Sequence, residues 1–239
     1  MEYEQPLIPA TLLRRYQRFL ADVVPETGQT MTVHCPNTGA MLGCQEPGSR
    51  VWLLPASNPQ RKYPFSWELV EALPDVLVGI NTGRSNRLVE EALAGGVIAP
   101  LRGYRQLRRE VAVSAAGERS RMDFLLSEHR RRPDCYLEVK NVTAAVTGGT
   151  ALFPDAVSAR ATKHLVALMA LVGQGFRAAL VFCVQRADVR RVRPATEIDG
   201  RYAETLALAA ERGVEIYAYR ACVSLRQVQL VERLRVALD

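Results

Sequence analysis

The segment Tyr136-Leu137-Glu138-Val139-Lys140-Asn141 limits what this chain can become more than any other stretch. In an extended strand successive side chains alternate between faces. Glu138 and Lys140 therefore share one face, and Leu137 and Val139 the other. Upstream, Met122–Leu126 reads as a second strand, because the break between the two holds Ser127, Arg130 to Arg132 and Pro133. Asp123 lies on that neighbouring strand and reaches the same edge. Two carboxylates and one ammonium converging from adjacent strands make a site for a hard divalent cation and a phosphodiester. The plainer outcome is an ion pair between Glu138 and Lys140 at a solvated edge.

The chemistry explains the residue types. Mg²⁺ or Mn²⁺ takes oxygen ligands and keeps several waters, so one or two carboxylates suffice. Asp123 and Glu138 would supply them, with the Val139 carbonyl as a further oxygen. The cation would acidify water and offset charge on the phosphate. Lys140 would hold the attacking water or act as a fixed positive charge. This Asp…Glu-x-Lys arrangement resembles the PD-(D/E)XK nuclease superfamily.

Further segments carry a second resemblance: His34-Cys35-Pro36-Asn37-Thr38-Gly39-Ala40-Met41, Arg61-Lys62-Tyr63-Pro64, Arg119-Ser120-Arg121-Met122-Asp123-Phe124, Pro133 to Lys140, and Phe153-Pro154-Asp155-Ala156-Val157. Together they resemble the family of sugar fermentation stimulation protein A over essentially the whole chain. The resemblance implies an N-terminal OB-like β-barrel, a C-terminal nuclease-like α/β domain, and DNA binding. The pattern Asn-Arg-Leu-x-x-Glu implies an auxiliary acidic residue from the first helix, and Glu91 is the matching position. A solvated helix face is the alternative for Glu91 and the preferred reading for Glu90.

The chain has 239 residues, enough for one large or two small domains, and 48% of them are hydrophobic, as expected of a chain with a proper core. Its net charge of +6 favours a polyanionic partner, although solubility alone would account for it. Cys35, Cys44, Cys135, Cys183 and Cys222 are odd in number and form no C-x-x-C pair, so they read as reduced thiols of a cytoplasmic protein. Glu2, Glu4, Arg14 and Arg15 interrupt any leader-like apolar region, and the longest apolar run, 165–173, is too short for a bilayer. No membrane partner is expected.

Before residue 80 the strand candidates are Leu12–Tyr16, Phe19–Val24, Thr30–His34, Val51–Pro55 and Lys62–Ala72. The turns Pro25–Gly28, Pro36–Gly39, Pro47-Gly48 and Ala56–Pro59 separate them. Strands this short and this spaced suggest a small barrel, and a five-stranded OB-fold is a known oligonucleotide platform. Arg61 and Lys62 supply charge there. Tyr63, Phe65 and Trp67 sit at alternate positions; exposed they would stack bases, buried they are core. Asn37 belongs to a loop that is a candidate contact, or only a tight turn.

Val76–Ile80 reads as a strand crossing into the second domain, followed by a helix capped by Asn81 or Thr82. Leu107–Val113, Met122–Leu126 and Tyr136–Val142 form a plausible meander with an Ala115–Gly117 turn, and Glu110 is a further carboxylate near its edge. Thr147–Thr150 is a flexible loop. Pro154-Asp155 starts a helix to about Val172, with Asp155 as its cap. On that helix Arg160, Lys163 and His164 share a face that could grip phosphates or simply be solvated. Gln185, at the end of an apolar strand, is a candidate substrate contact. Val214–Tyr219 is a strand, and Val228–Leu234 a last strand or short helix.

The chain is thus expected to be α/β (α+β), with an OB-like barrel over 1–80 and a restriction-endonuclease-like domain over 81–239. The expected function is DNA binding, with RNA as a weaker alternative, together with Mg²⁺- or Mn²⁺-dependent cleavage at Asp123, Glu138 and Lys140. The rival is a non-catalytic, non-specific DNA-binding regulator of sugar (maltose-type) catabolic genes. Both a monomer and a homodimer fit.

Overall fold

Polar turns cut the first third of the chain into six strands: β1 (Ile8–Tyr16), β2 (Leu20–Pro25), β3 (Met31–His34), β4 (Arg50–Pro55), β5 (Phe65–Leu73) and β6 (Val76–Gly79). This is a computed structural model, and it describes every residue except Thr27, Pro59, Ala116, Thr147 and Asp239. The turns expected at Thr27, Pro59 and Ala116, and the loop expected from Thr147, fall in part outside the described residues. Strand order is β3-β2-β1-β4-β5-β6, and an extra β3–β5 pairing closes β1 to β5 into a barrel. Leu12, Val23, Val33, Leu53 and Trp67 fill its interior.

Three expectations change here. β5 begins at Phe65, so Tyr63 lies outside the strand and the aromatic stripe is not a single face. Trp67 is fully buried and its indole N–H donates to the Leu69 carbonyl at 2.8 Å, so it is barrel core and not a stacking platform. β6 pairs with β5 and belongs to the barrel's own sheet; a bridge from Val78 to Arg186 is its pairing with the second domain.

The rest of the chain builds a nine-stranded mixed sheet. Its strands are β7 (Gln106–Ala115), β8 (Glu118–Ser127), β9 (Cys135–Val142), β10 (Ala145–Val146), β11 (Thr150–Phe153), β12 (Arg177–Val184), β13 (Arg191–Pro194), β14 (Glu215–Val223) and β15 (Val228–Val236). The order is β10-β11-β13-β15-β14-β12-β9-β8-β7. The β7-β8-β9 meander is antiparallel, whereas β9, β12 and β14 run parallel. Helix α1 (Ser85–Ala94) covers one face through Leu88, Val89 and Ala92. Helices α2 (Ala159–Gly173) and α3 (Gly200–Glu211) cover the other through Leu165, Leu168, Tyr202 and Leu206. β9 serves both layers: Leu137 and Val139 pack with α1, while Tyr136 and Val142 pack with α2 and α3.

α2 starts later than expected, and Ser158 caps it by accepting the Ala161 N–H. Asp155 instead accepts the Met41 N–H at 2.8 Å, tying the barrel's 36–41 loop to the second domain. Gly39 permits that approach, since a Cβ there would stand 2.8 Å from Asp155 Oδ2. Gln185 is buried at the same junction and donates to Asn141 Oδ1 at 2.6 Å, so it holds the junction and does not face a substrate. The five cysteines are free thiols, four of them buried. Among the described residues no helix is long and apolar enough to cross a membrane.

Candidate metal and phosphodiester site

The site forms where the sheet forks. β8 pairs with β9 only from Phe124 to Leu126, yet it stays paired with β7 as far as Glu118. Beyond Phe124 the Val139 N–H no longer has a β8 carbonyl to meet. A buried donor without a partner is costly, and Asp123 removes that cost: its Oδ2 accepts the Val139 N–H at 2.7 Å. Its Oδ1 accepts from Asn86 Nδ2 of α1 at 2.8 Å. Glu110, opposite Asp123 on β7, has a left-handed backbone (φ 53°) and faces Arg121 at 3.6 Å as a surface ion pair.

Glu138 projects from the next strand. Its Oε1 receives Lys140 Nζ at 2.7 Å and a short hydrogen bond from His164 Nδ1 of α2. Arg160 Nε lies 3.5 Å from His164 Nε2. Lys140 Nζ lies 3.3 Å from Nδ1 but donates to Glu138 Oε1; because a carboxylate only accepts, Nδ1 carries the proton given to Glu138 and Nε2 accepts from Arg160. The other carboxylate oxygen, Oε2, is buried with no hydrogen-bond partner among the described residues. Tyr202 Oη of α3 is likewise buried without a partner, and burial followed by the Glu138 charge raises its pKa.

The two carboxyls are pushed in opposite directions. Burial lifts Asp123 above the usual carboxylate range and the Glu138 charge lifts it further, while the Val139 and Asn86 hydrogen bonds offset only part. Burial also acts to raise Glu138, but the His164 hydrogen bond and the Lys140 charge outweigh it and hold that carboxyl below its usual range. The Lys140 charge acts on Asp123 in the lowering direction as well.

The orphaned Oε2 is what a cation-binding carboxylate would show, so a hard divalent ion fits. Among the described residues no three His, Cys, Asp or Glu side chains converge to hold a metal. An ion held there would meet carboxylate oxygen, which suits Mg²⁺ or Mn²⁺ better than a soft metal.

Other expected site residues are placed differently. Glu91 is exposed and ion-paired with the Met1 amine at 2.6 Å and with Arg87 at 3.1 Å. Asn86 is the α1 residue that reaches Asp123, and Glu90, one turn on, pairs with Arg109 of β7. Asn37 is 3% exposed and its Oδ1 accepts the Gly39 N–H, so it holds a turn and offers no open contact. His164 is buried and belongs to the Glu138 cluster, while Arg160 and Lys163 line an outer cleft. Arg61 and Lys62 are exposed, with Arg61 bonded to His34 and Ser66 and Lys62 over the Tyr63 ring at 5.4 Å. Sequence reasoning missed Asn86, Tyr202, Arg119 and Arg201. Helical spacing could have found Asn86, because it shares a face with Glu90.

Residues 13–80 match a family model described as the SfsA N-terminal OB domain, and residues 83–227 one described as the sugar fermentation stimulation protein RE domain. A sugar fermentation stimulation protein homolog of Alkalilimnicola ehrlichii is 54% identical over 99% of both chains. One from Thioalkalivibrio sulfidiphilus is 59% identical over 93% of this chain and 92% of its own. A solved structure, Pyrococcus furiosus SfsA in complex with Ca²⁺, superposes with a TM-score of 0.87 at 28% identity, covering 99% of this chain and 98% of that one. The barrel is thus an OB domain, and the chain belongs to the sugar fermentation stimulation protein family.

Proposed function

We propose that this chain is a DNA-binding phosphodiesterase that depends on a hard divalent cation, Mg²⁺ or Mn²⁺. The observation that carries the reading is the buried, partnerless Oε2 of Glu138, whose other oxygen pairs with the Lys140 ammonium, on the strand next to the one that carries Asp123. The calcium complex of the Pyrococcus relative supports a hard cation in this fold. Asp123 and Glu138 would hold the ion. When bound, it supplies positive charge against the phosphate oxygens and acidifies water. Lys140 places a fixed cation where charge develops on the phosphorane oxygens and orients the incoming water. His164 fixes the Glu138 rotamer through Oε1 and leaves Oε2 free, while Asn86 and the Val139 N–H each hold one oxygen of Asp123 and so fix its orientation.

The test is nicking of plasmid DNA by the purified protein with Mn²⁺. Glu138→Ala is expected to lower the rate by at least about 10²-fold, the scale of losing one electrostatic stabiliser. Equal rates in variant and parent would remove the site. The second reading is a regulator that binds DNA without cutting it. Its support is the Glu138–Lys140 ion pair at 2.7 Å, which engages the ammonium within the protein. Binding unaffected by chelator, with no cleavage of any strand, would establish it.

A further inference from the structure

We infer that the cleft beside this site takes an unpaired strand, so that the substrate of the proposed phosphodiesterase is single-stranded nucleic acid. This rests on the reading above and specifies its substrate class. The cleft has a volume of about 640 Å³ and lies between the end of the β7–β8 hairpin and α2. His164 lines the cleft and bonds Glu138, so one side chain separates the cleft from the candidate reaction centre.

Two properties of the walls carry the inference. The rim is cationic: Arg119 and Arg121 stand on the hairpin, Arg160 and Lys163 on α2, and Arg201 at the start of α3. Lys163 faces Glu118 and Arg121 faces Glu110, but no ion pair of Arg119, Arg160 or Arg201 occurs among the described residues. Guanidinium groups without carboxylates suit phosphate oxygens, which they meet with two parallel hydrogen bonds. The floor, by contrast, is aliphatic: Ala115, Ala159, Val166 and Ala167 line it, and Val166 is 40% exposed.

A rigid duplex presents phosphates outward and keeps its base faces inside the stack. Such a surface would satisfy the rim and leave the floor bare. An unpaired strand has both parts, phosphates for the rim and exposed apolar base faces whose burial against the aliphatic floor removes them from water. The volume agrees, since it falls within the ~300–1,000 Å³ range of small-ligand pockets and has room for a short stretch of nucleotides, not a double helix.

The experiment measures anisotropy of fluorescein-labelled oligo-dT and of a duplex of equal length, in EDTA so that nothing is cut, across a salt series. Oligo-dT is expected to bind at least tenfold tighter than the duplex. The double variant Arg119→Ala/Arg201→Ala should reduce the single-strand salt slope by about 1.4, at ~0.7 for each lost phosphate contact. Duplex binding should change little, and Arg119→Lys/Arg201→Lys should restore most of the slope. Oligo-U run in parallel shows which sugar is preferred, and preference for either single strand over its duplex supports the inference. Equal affinity for single strand and duplex, or equal weakening of both by the double variant, overturns it. If that happens while Glu138-dependent nicking persists, only the substrate assignment falls. If single strands are preferred but no Glu138-dependent cleavage is found, the phosphodiesterase falls and the strand-binding cleft stands.

Discussion

In the barrel, Arg14 bonds Asp22 at 2.8 Å, Arg15 bonds the carbonyls of Arg18, Asn37 and Gly39, and Arg61 leans on His34 and Ser66. In the cleft beside α2, Arg119 and Arg201 have no carboxylate partner among the described residues. The residue types are the same and their uses differ. Barrel arginines stand within reach of acceptors on their own strands and loops, so several serve to hold turns. Cleft arginines project from a hairpin and two helices across a gap, where few acceptors reach them. The count of cations in a segment therefore says less about ligand binding than which element carries them.

The largest way to break this comparison lies at the metal site, where Glu138→Ala should abolish Mn²⁺-dependent nicking although the barrel is untouched. Next in size is Trp67→Ala. It empties the barrel core and should cost about 3–5 kcal/mol in urea unfolding. A small loss of stability with a large loss of nucleic-acid binding would give Trp67 the stacking role that the sequence left open beside a core role.

Smaller again are the residues that hold the carboxylates. Asn86→Ala and His164→Ala should each weaken Mn²⁺ binding by about 10–100-fold, read by electron paramagnetic resonance of free Mn²⁺. His164→Asn, which can present an amide N–H near the position of Nδ1, should recover part of that loss, whereas a merely space-filling histidine would show no such recovery.

The opposed pKa shifts give a prediction of sign. A carboxyl raised on folding, like Asp123, adds stability at low pH that is lost as pH rises through its raised value. A carboxyl lowered on folding, like Glu138, adds stability at neutral pH that is lost as pH falls through its lowered value. Without metal at neutral pH, Asp123→Asn should therefore raise Tm and Glu138→Gln should lower it. Mn²⁺ should raise the Tm of the parent and leave that of Asp123→Asn nearly unchanged. The smallest effect belongs to the barrel edge: Lys62→Ala should alter the salt slope of binding by less than ~0.7, under one phosphate contact.

The strands of the barrel and of the meander were legible because apolar alternation and Pro/Gly turns are local signals. Asp123, Glu138 and Lys140 were legible for the same reason, being two strand positions apart or on the adjoining strand. Trp67 was not, because alternation assigns a residue to a face without saying which face is covered. Asn86 was not singled out because a sequence pattern fixes a helix but not its rotation, and here Asn86 points at the fork. Asp155 resembled a helix cap and instead joins two domains, a contact between residues 114 positions apart that no window could hold.

The fork between β8 and β9 sets a condition on how this sequence can drift. A slip of β8 by one residue would turn Asp123 toward the opposite layer and strip the Val139 amide of its acceptor in the same step. Misalignment of the seam is therefore penalised twice, once as lost chemistry and once as lost folding energy. Insertions between these strands are tolerable only if the 128–134 connection absorbs them whole, so variation in length should collect in that connection and stay out of the strands it joins.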